Sequence, residues 1–336
     1  MGAYESARAL DTGMRTITYV RRDGRPLAVV DANLLMGRRG DDIEIMRTDL
    51  TRVLYEATAA DVEYVFGDAI ATMTETGDGV DVTFDKGAPR RFALVVGADG
   101  LHSATRRKVL GETPLTHLGA YISICTVPNA LGIDREEFMY PQPGRLVFAY
   151  STGPDAPAQV GLAFASPELS YDRRDVAGQQ LLIRQAFTDG GWEVPRLLDA
   201  VDAAGDLYFD SISQVHLPRW SAGRVALIGD AAHCPSPASG QGTSMALVGA
   251  YVLAEKLAAA DGHEAAFERY EAALRPYAEM NLAFGHKMAK DMVPRSAWRI
   301  AVQNYGMRTL KYHPRKERVI ERVLRPLHEA ANAIAI

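Results

Sequence analysis

Segment 224–242 constrains this chain more than any other. It opens with Val225-Ala226-Leu227-Ile228, a run too short for a helix and branched enough for a buried parallel strand. It breaks at Gly229-Asp230, passes through Pro235 and Pro237, and at Gly242 enters a helix predicted over 243–257 that is apolar on nearly every face. Strand, glycine-rich turn and buried helix together bring a helix N-terminus and free backbone N–H groups up to a ligand. Asp230 then falls at the carboxyl end of the strand, where open α/β sheets bind ligands. Most Gly-Asp pairs are ordinary turns; it is the length and order of this stretch that point to a site.

A second stretch lies more than a hundred residues upstream. It reads Leu94-Val95-Val96-Gly97-Ala98-Asp99-Gly100, followed by Ser103 and Arg106. Gly229-Asp230-Ala231-Ala232-His233 with Pro237, Gly240 and Gly242 resembles the ribityl-binding motif of flavin-dependent aromatic hydroxylases of the para-hydroxybenzoate hydroxylase type. The upstream stretch resembles that family's other signature, in the expected order. The resemblance runs from about residue 43 to residue 257, with a looser tail.

Between the motifs the chain alternates in character. Residues 5–15 read as a weak helix. Residues 17–20 and 27–30 flank Asp23-Gly24 as a hairpin. Residues 48–56 read as a helix, 62–66 as a short strand and 69–96 as a three-strand meander. From 118 to about 166, strands at 120–127, 145–151 and 158–165 are separated by Pro, Gly and Asp clusters with no helix between them, which indicates an inserted antiparallel sheet. Helices are expected at 175–187 and 195–202. Beyond Glu264 the pattern is helical, with breaks near Pro294 and Pro314. The reading is an α/β fold: a Rossmann-like FAD-binding domain over 1–111 and 218–262, an antiparallel-sheet substrate domain over 112–217, and a helical region over 263–336.

One expected element is missing. A dinucleotide-binding half begins with a strand, then Gly-x-Gly-x-x-Gly opening a helix. The early glycines (Gly2, Gly13, Gly24, Gly37, Gly40) do not supply it, and the Gly-x-Gly at Gly240-Gln241-Gly242 belongs to the later motif. The expectation is that coding sequence upstream of Met1 supplies that unit, and that without it strands of the first domain present open edges.

By resemblance, Asp230 accepts a hydrogen bond from a ribityl hydroxyl. Gly229, Gly240, Gln241 and Gly242 bring backbone and a helix N-terminus to the flavin, and Pro237 lines its ring. Asp99 and Gly100 belong to the pyrophosphate and nicotinamide region, which Arg47 approaches with Asp99 as its candidate partner. Ser103, Arg106 and His233 read as support. Ser244 and Gly249 depart from the Asn and Asp of many relatives and bear on helix contacts. Tyr121, Phe138, Tyr140, Phe148, Tyr150 and Phe164 are core residues or a pocket for a flat substrate. No side chain stands out as a general acid, base or metal ligand, as fits cofactor-borne chemistry.

The resemblance implies an FAD- and NAD(P)H-dependent monooxygenase: NAD(P)H reduces the flavin, O₂ adds at C4a, and the hydroperoxide hydroxylates an aromatic or polyketide-like molecule. A truncated member that does not retain FAD and a flavin-dependent reductase of unsaturated substrates are the alternatives. The net charge of −5 offers no attraction to nucleic acid or an anionic membrane, so neither is expected as a partner, and the basic run 311–318 reads as a solvated helix end. Two cysteines, Cys125 and Cys234, cannot build a disulfide framework, and the N-terminus has no secretory pattern, so a cytoplasmic location is expected. The sequence carries no signal for the oligomeric state.

Overall fold

The computed structural model describes residues 2–310 and 312–334. The strands in chain order are β1 (Thr16–Val20), β2 (Pro26–Asp31), β3 (Ile70–Glu75), β4 (Val80–Phe84), β5 (Arg90–Phe92) and β6 (Val95–Gly97). They continue with β7 (Thr116–Val127), β8 (Glu136–Gln142), β9 (Arg145–Ser151), β10 (Ala158–Ala165), β11 (Tyr208–Gln214), β12 (Ser221–Ala222) and β13 (Val225–Leu227). They form three sheets, in the orders β11-β7-β10-β9-β8-β1-β2, β12-β13-β6 and β3-β4-β5.

The large sheet is covered on both faces because its strands alternate. One face sends Tyr121, Tyr140, Val147, Leu162 and Phe164 under the helices Val176–Ala186 and Val194–Ala203. The other carries Ile122, Leu146, Ala163 and Ile212 toward the end of the long helix His263–Met292. Further along, the same face carries Ile17, Tyr19, Met139 and Tyr150. The sequence left these aromatics undecided between core and pocket, and the pleat divides them. Tyr121, Phe138, Tyr140 and Phe164 join the helix-covered core, while Phe148 and Tyr150 lie on the opposite face.

Most expected elements are present: the 16–31 hairpin, the helix Arg47–Thr58, the meander, the inserted sheet and the two helices that follow it. The C-terminal helices break at Pro294 and Pro314, as read from the sequence. Four points differ. The hairpin, expected within the first domain, pairs through β1 with β8 in parallel and so extends the large sheet. β8 itself went unread because Glu136, Glu137 and Pro141 mask its pattern. The helix Gly242–Ala259 buries only one face, through Met245, Gly249, Val252 and Leu253, since the sheet beside it is three strands wide. Residues 62–66 form no strand.

That last difference has a physical cause. β6 stands at the edge of its sheet and no strand takes in residues 62–66; the Val62 N–H turns back to the Thr58 carbonyl (3.0 Å) at the end of the helix Arg47–Thr58. Val62, Tyr64, Val65 and Phe66 stay exposed, and Tyr64 stacks on Phe66 with ring centroids 5.9 Å apart.

Candidate flavin site

The two sequence motifs meet because β6 and β13 are parallel neighbours, with Val95 beside Val225 and Gly97 beside Leu227. Both turns therefore leave the sheet side by side at its carboxyl edge, and Ile228 donates its N–H to the Gly97 carbonyl at 3.0 Å. Arg106 fastens them together. Its guanidinium is buried and donates to the Leu101 carbonyl (2.6 Å) in the first turn, the Ala231 carbonyl (3.0 Å) in the second, and the Thr113 hydroxyl (2.9 Å). Burial lowers its pKa, and three acceptors satisfy a charge that would otherwise be costly to enclose.

The first turn is held from within. Asp99 accepts from the Ser103 hydroxyl (2.5 Å) and the Thr105 N–H (2.9 Å), and Ser103 caps the helix Ala104–Leu110 by accepting from the Arg106 N–H (2.8 Å). Burial pushes the Asp99 carboxyl up, but these hydrogen bonds outweigh it and hold its pKa below the ordinary value. Among the described residues Arg47 makes no ion pair with Asp99. Its charge acts instead on Asp230 and Tyr208.

The second turn is built for close approach. Gly229 takes φ +56, which lets the chain turn sharply into Asp230. Asp230 sits beside the start of the helix Gly242–Ala259: a side-chain carbon on Gly242 would lie 3.8 Å from Asp230 Oδ1. Burial raises the Asp230 pKa against the opposing influence of Cys234 and Arg47. Pro237–Ser239 form one 3₁₀ turn, and Ser236, before it, holds a buried hydroxyl without a partner among the described residues. Gly285 lets the long helix press against this loop, since a methyl there would meet the Pro235 carbonyl at 2.0 Å. Gly249 does the same between helices, with the His233 ring and Tyr270 close to it. His233 is 1% exposed and lies 4.7 Å from Trp220, a packing residue as expected.

The site offers open backbone at Gly100 and Gly240, where an added side chain would meet nothing within 4 Å. It also offers an orphaned buried hydroxyl at Ser236, a carboxylate at Asp230 and a helix N-terminus. Those backbone and hydroxyl donors fit a phosphate and a flat ring with a negative edge, and the carboxylate acceptor fits sugar hydroxyls. The first residues of the turn at Gly240-Gln241 are ordered by Ser239, whose hydroxyl accepts from the Gln241 N–H at 3.1 Å.

Sequence reasoning missed three residues. His102 Nε2 lies 2.7 Å from Asp210 Oδ2, which links the first turn to β11 of the large sheet. Asp210 is buried and also accepts from the Ser211 N–H at 2.8 Å. The Tyr208 hydroxyl lies 3.5 Å from the same carboxylate. Water reaches the Tyr208 ring, while desolvation of its hydroxyl end, with Asp210 and Asp230 nearby, pushes its pKa up. The one sequence signal was an aspartate inside the apolar strand Phe209–Ile212, whose partner stands 108 residues away.

The family described as FAD binding domain matches residues 209–285. A flavin-dependent monooxygenase from an unknown prokaryotic organism is 42% identical over 287 residues, covering 85% of this chain and 74% of that protein. A flavin-dependent monooxygenase of Legionella longbeachae is 38% identical over 288 residues, with 85% and 74% coverage. Among solved structures, the tetracycline destructase Tet(55) superposes with a TM-score of 0.83 at 37% identity, covering 99% of this chain and 83% of its own. With this sequence similarity, this fold and both motifs at one sheet edge, the chain belongs to the FAD-dependent monooxygenases.

Proposed function

We propose that this monooxygenase takes its electrons from NAD(P)H and oxygenates a flat aromatic or polyketide-like molecule. The observation that carries this reading is the meeting of the flavin turn with one face of the large sheet. Ala238, in the Pro237–Ser239 turn, packs into the apolar cluster of Ile122, Leu146, Ala163 and Ile212, with Phe148 and Met139 beside it. A substrate lying on that face would be next to the cofactor turn and screened from water by aliphatic and aromatic side chains. The likeness to a tetracycline destructase supports a fused-ring substrate.

In this reading Asp230 grips the ribityl chain. Gly229, Gly240, Gln241 and Gly242 present backbone to the flavin, Pro237 lines its ring, and Arg47, Asp99 and Gly100 face the pyrophosphate and nicotinamide side. Residues 112–217 supply most of the substrate surface, joined by the 16–31 hairpin. Bound FAD supplies the oxygen chemistry. The chain's own residues orient the ring, exclude water, hold the ribityl chain at Asp230 and place the helix N-terminus against developing negative charge.

The test is FAD titration of the chain and of Asp230→Ala, followed by substrate-dependent O₂ uptake with NADH and with NADPH. Losing one hydrogen bond to a charged group costs roughly 1.5–3 kcal/mol, so Asp230→Ala should bind FAD about 10- to 150-fold more weakly. Equal affinity in the two proteins would remove Asp230 from the site. Flavin reduction without substrate-stimulated O₂ uptake would favour the reductase alternative.

A further inference from the structure

The basic run near the C-terminus acquires a second property in the structure. On the helix Ala297–Leu310, Ile300 faces inward, while Trp298, Val302 and Tyr305 follow an i, i+4, i+7 spacing and form one outward stripe. Trp298 is 73% exposed and Tyr305 69%. The stripe continues off the helix, because Tyr305 lines a groove together with Val29 of the edge strand β2 and with Tyr312, both exposed. At about 100° per residue, Arg299 and Arg308 fall about 80–100° to either side of the stripe. The next helix, Lys316–Ala331, repeats the pattern with exposed Val319 and Val323 beside Lys316 and Arg322.

Charge is concentrated here. Residues 295–325 hold nine Lys and Arg against two Glu, in a chain whose net charge is −5. Arg299 pairs with Asp291 at 2.7 Å, but Arg308, Arg315, Lys316, Arg318 and Arg322 have no acidic partner among the described residues. Averaging over the whole chain hides this asymmetry, which is why net charge alone gave no reason to expect an anionic surface.

An outward stripe of Trp, Val and Tyr flanked by Arg299, paired with Asp291, and by Arg308, which has no acidic partner among the described residues, has a matching environment: the boundary between lipid headgroups and acyl chains. Trp and Tyr prefer that depth, and the guanidiniums meet phosphates. A second copy of the chain fits less well, because a two-fold contact would set one basic patch against another. We propose that this face docks the enzyme on the surface of bilayers containing anionic phospholipid. It would lie on the membrane rather than cross it, since no helix among the described residues is long and apolar enough to span.

The experiment is flotation of the whole chain with phosphatidylcholine vesicles, alone or with about one third phosphatidylglycerol, at low and physiological salt. The chain should float with the anionic vesicles only, and less at higher salt. Trp298 is exposed whereas Trp220 is buried, so tryptophan emission should shift to the blue on binding. Arg308→Gln should weaken association about fivefold. The double change Trp298→Ser/Tyr305→Ser should abolish it at an unchanged melting temperature. Any of three results would overturn the proposal: no binding to anionic vesicles at low salt, equal binding to neutral ones, or full binding by the double variant. A dimer that the double variant loses, in a chain that ignores vesicles, would assign the face to a second copy instead.

Discussion

His233 shows how the flavin motif uses an ionisable residue as packing. Both its ring nitrogens are buried without partners among the described residues, and burial, reinforced by Arg275 across Trp220, pushes its pKa down to about 4. A folded pKa below the unfolded value of about 6.5 means a contribution to stability that is present above pH 6.5 and is lost as pH falls through 4. Glu137 acts in the opposite sense over the same window. Burial, with Glu44 nearby, raises its pKa to about 7, so its penalty eases as pH falls. The two effects separate by difference, because Glu137 is common to wild type and to His233→Phe. Between pH 7 and pH 4.5 the wild type should lose on the order of 2–3 kcal/mol relative to the variant in urea unfolding. Parallel stability curves for the two proteins would show that His233 is not held neutral.

At the scale of elements, β11 joins the two halves of the site. Its Asp210 reaches His102 in the first turn, its Gln214 donates to the Pro235 (3.0 Å) and Leu282 (2.7 Å) carbonyls, and its Phe209 enters the core under the helices. The strand therefore fixes the large sheet against both turns. His102→Gln should cost about 1–3 kcal/mol, since it removes the close hydrogen-bond partner of a buried carboxylate while the Ser211 N–H remains. Paired with Asp210→Asn in a double-mutant cycle, the coupling should exceed about 1 kcal/mol. Additivity within about 0.5 kcal/mol would mean that the two side chains do not depend on each other. This link was not legible in the sequence. The flavin motifs were, because glycines and an aspartate at strand ends are placed by local turn geometry and ligand approach. His102 and Asp210 carry no such local reason, and nothing in their spacing betrays them. The same holds for the hairpin at 16–31, whose turn is local but whose parallel partner β8 lies more than a hundred residues on.

At the scale of the whole molecule, the flavin-binding half has the smaller share of sheet. Among the described residues its parallel core is β6 and β13, each three residues long, with β6 at the sheet edge and the exposed Val62, Tyr64, Val65 and Phe66 outside any strand. The large sheet, by contrast, is covered on both faces. Cohesion around the short strands comes from Arg106, Gln214 and the close passage at Gly285, all of which surround the cofactor turns. A ligand bridging those turns should then contribute a large share of the stability of this half. By linkage, FAD at about 100 times its Kd adds about 2.7 kcal/mol, which for a chain of this size raises the melting temperature by on the order of 5 °C. The melting temperature should climb with the logarithm of FAD concentration above Kd. Asp230→Ala should shift that climb to about 10- to 150-fold higher FAD without changing its slope. Differential scanning fluorimetry across FAD concentrations measures both quantities. A melting temperature that ignores FAD over the whole series would contradict a cofactor held between the two turns.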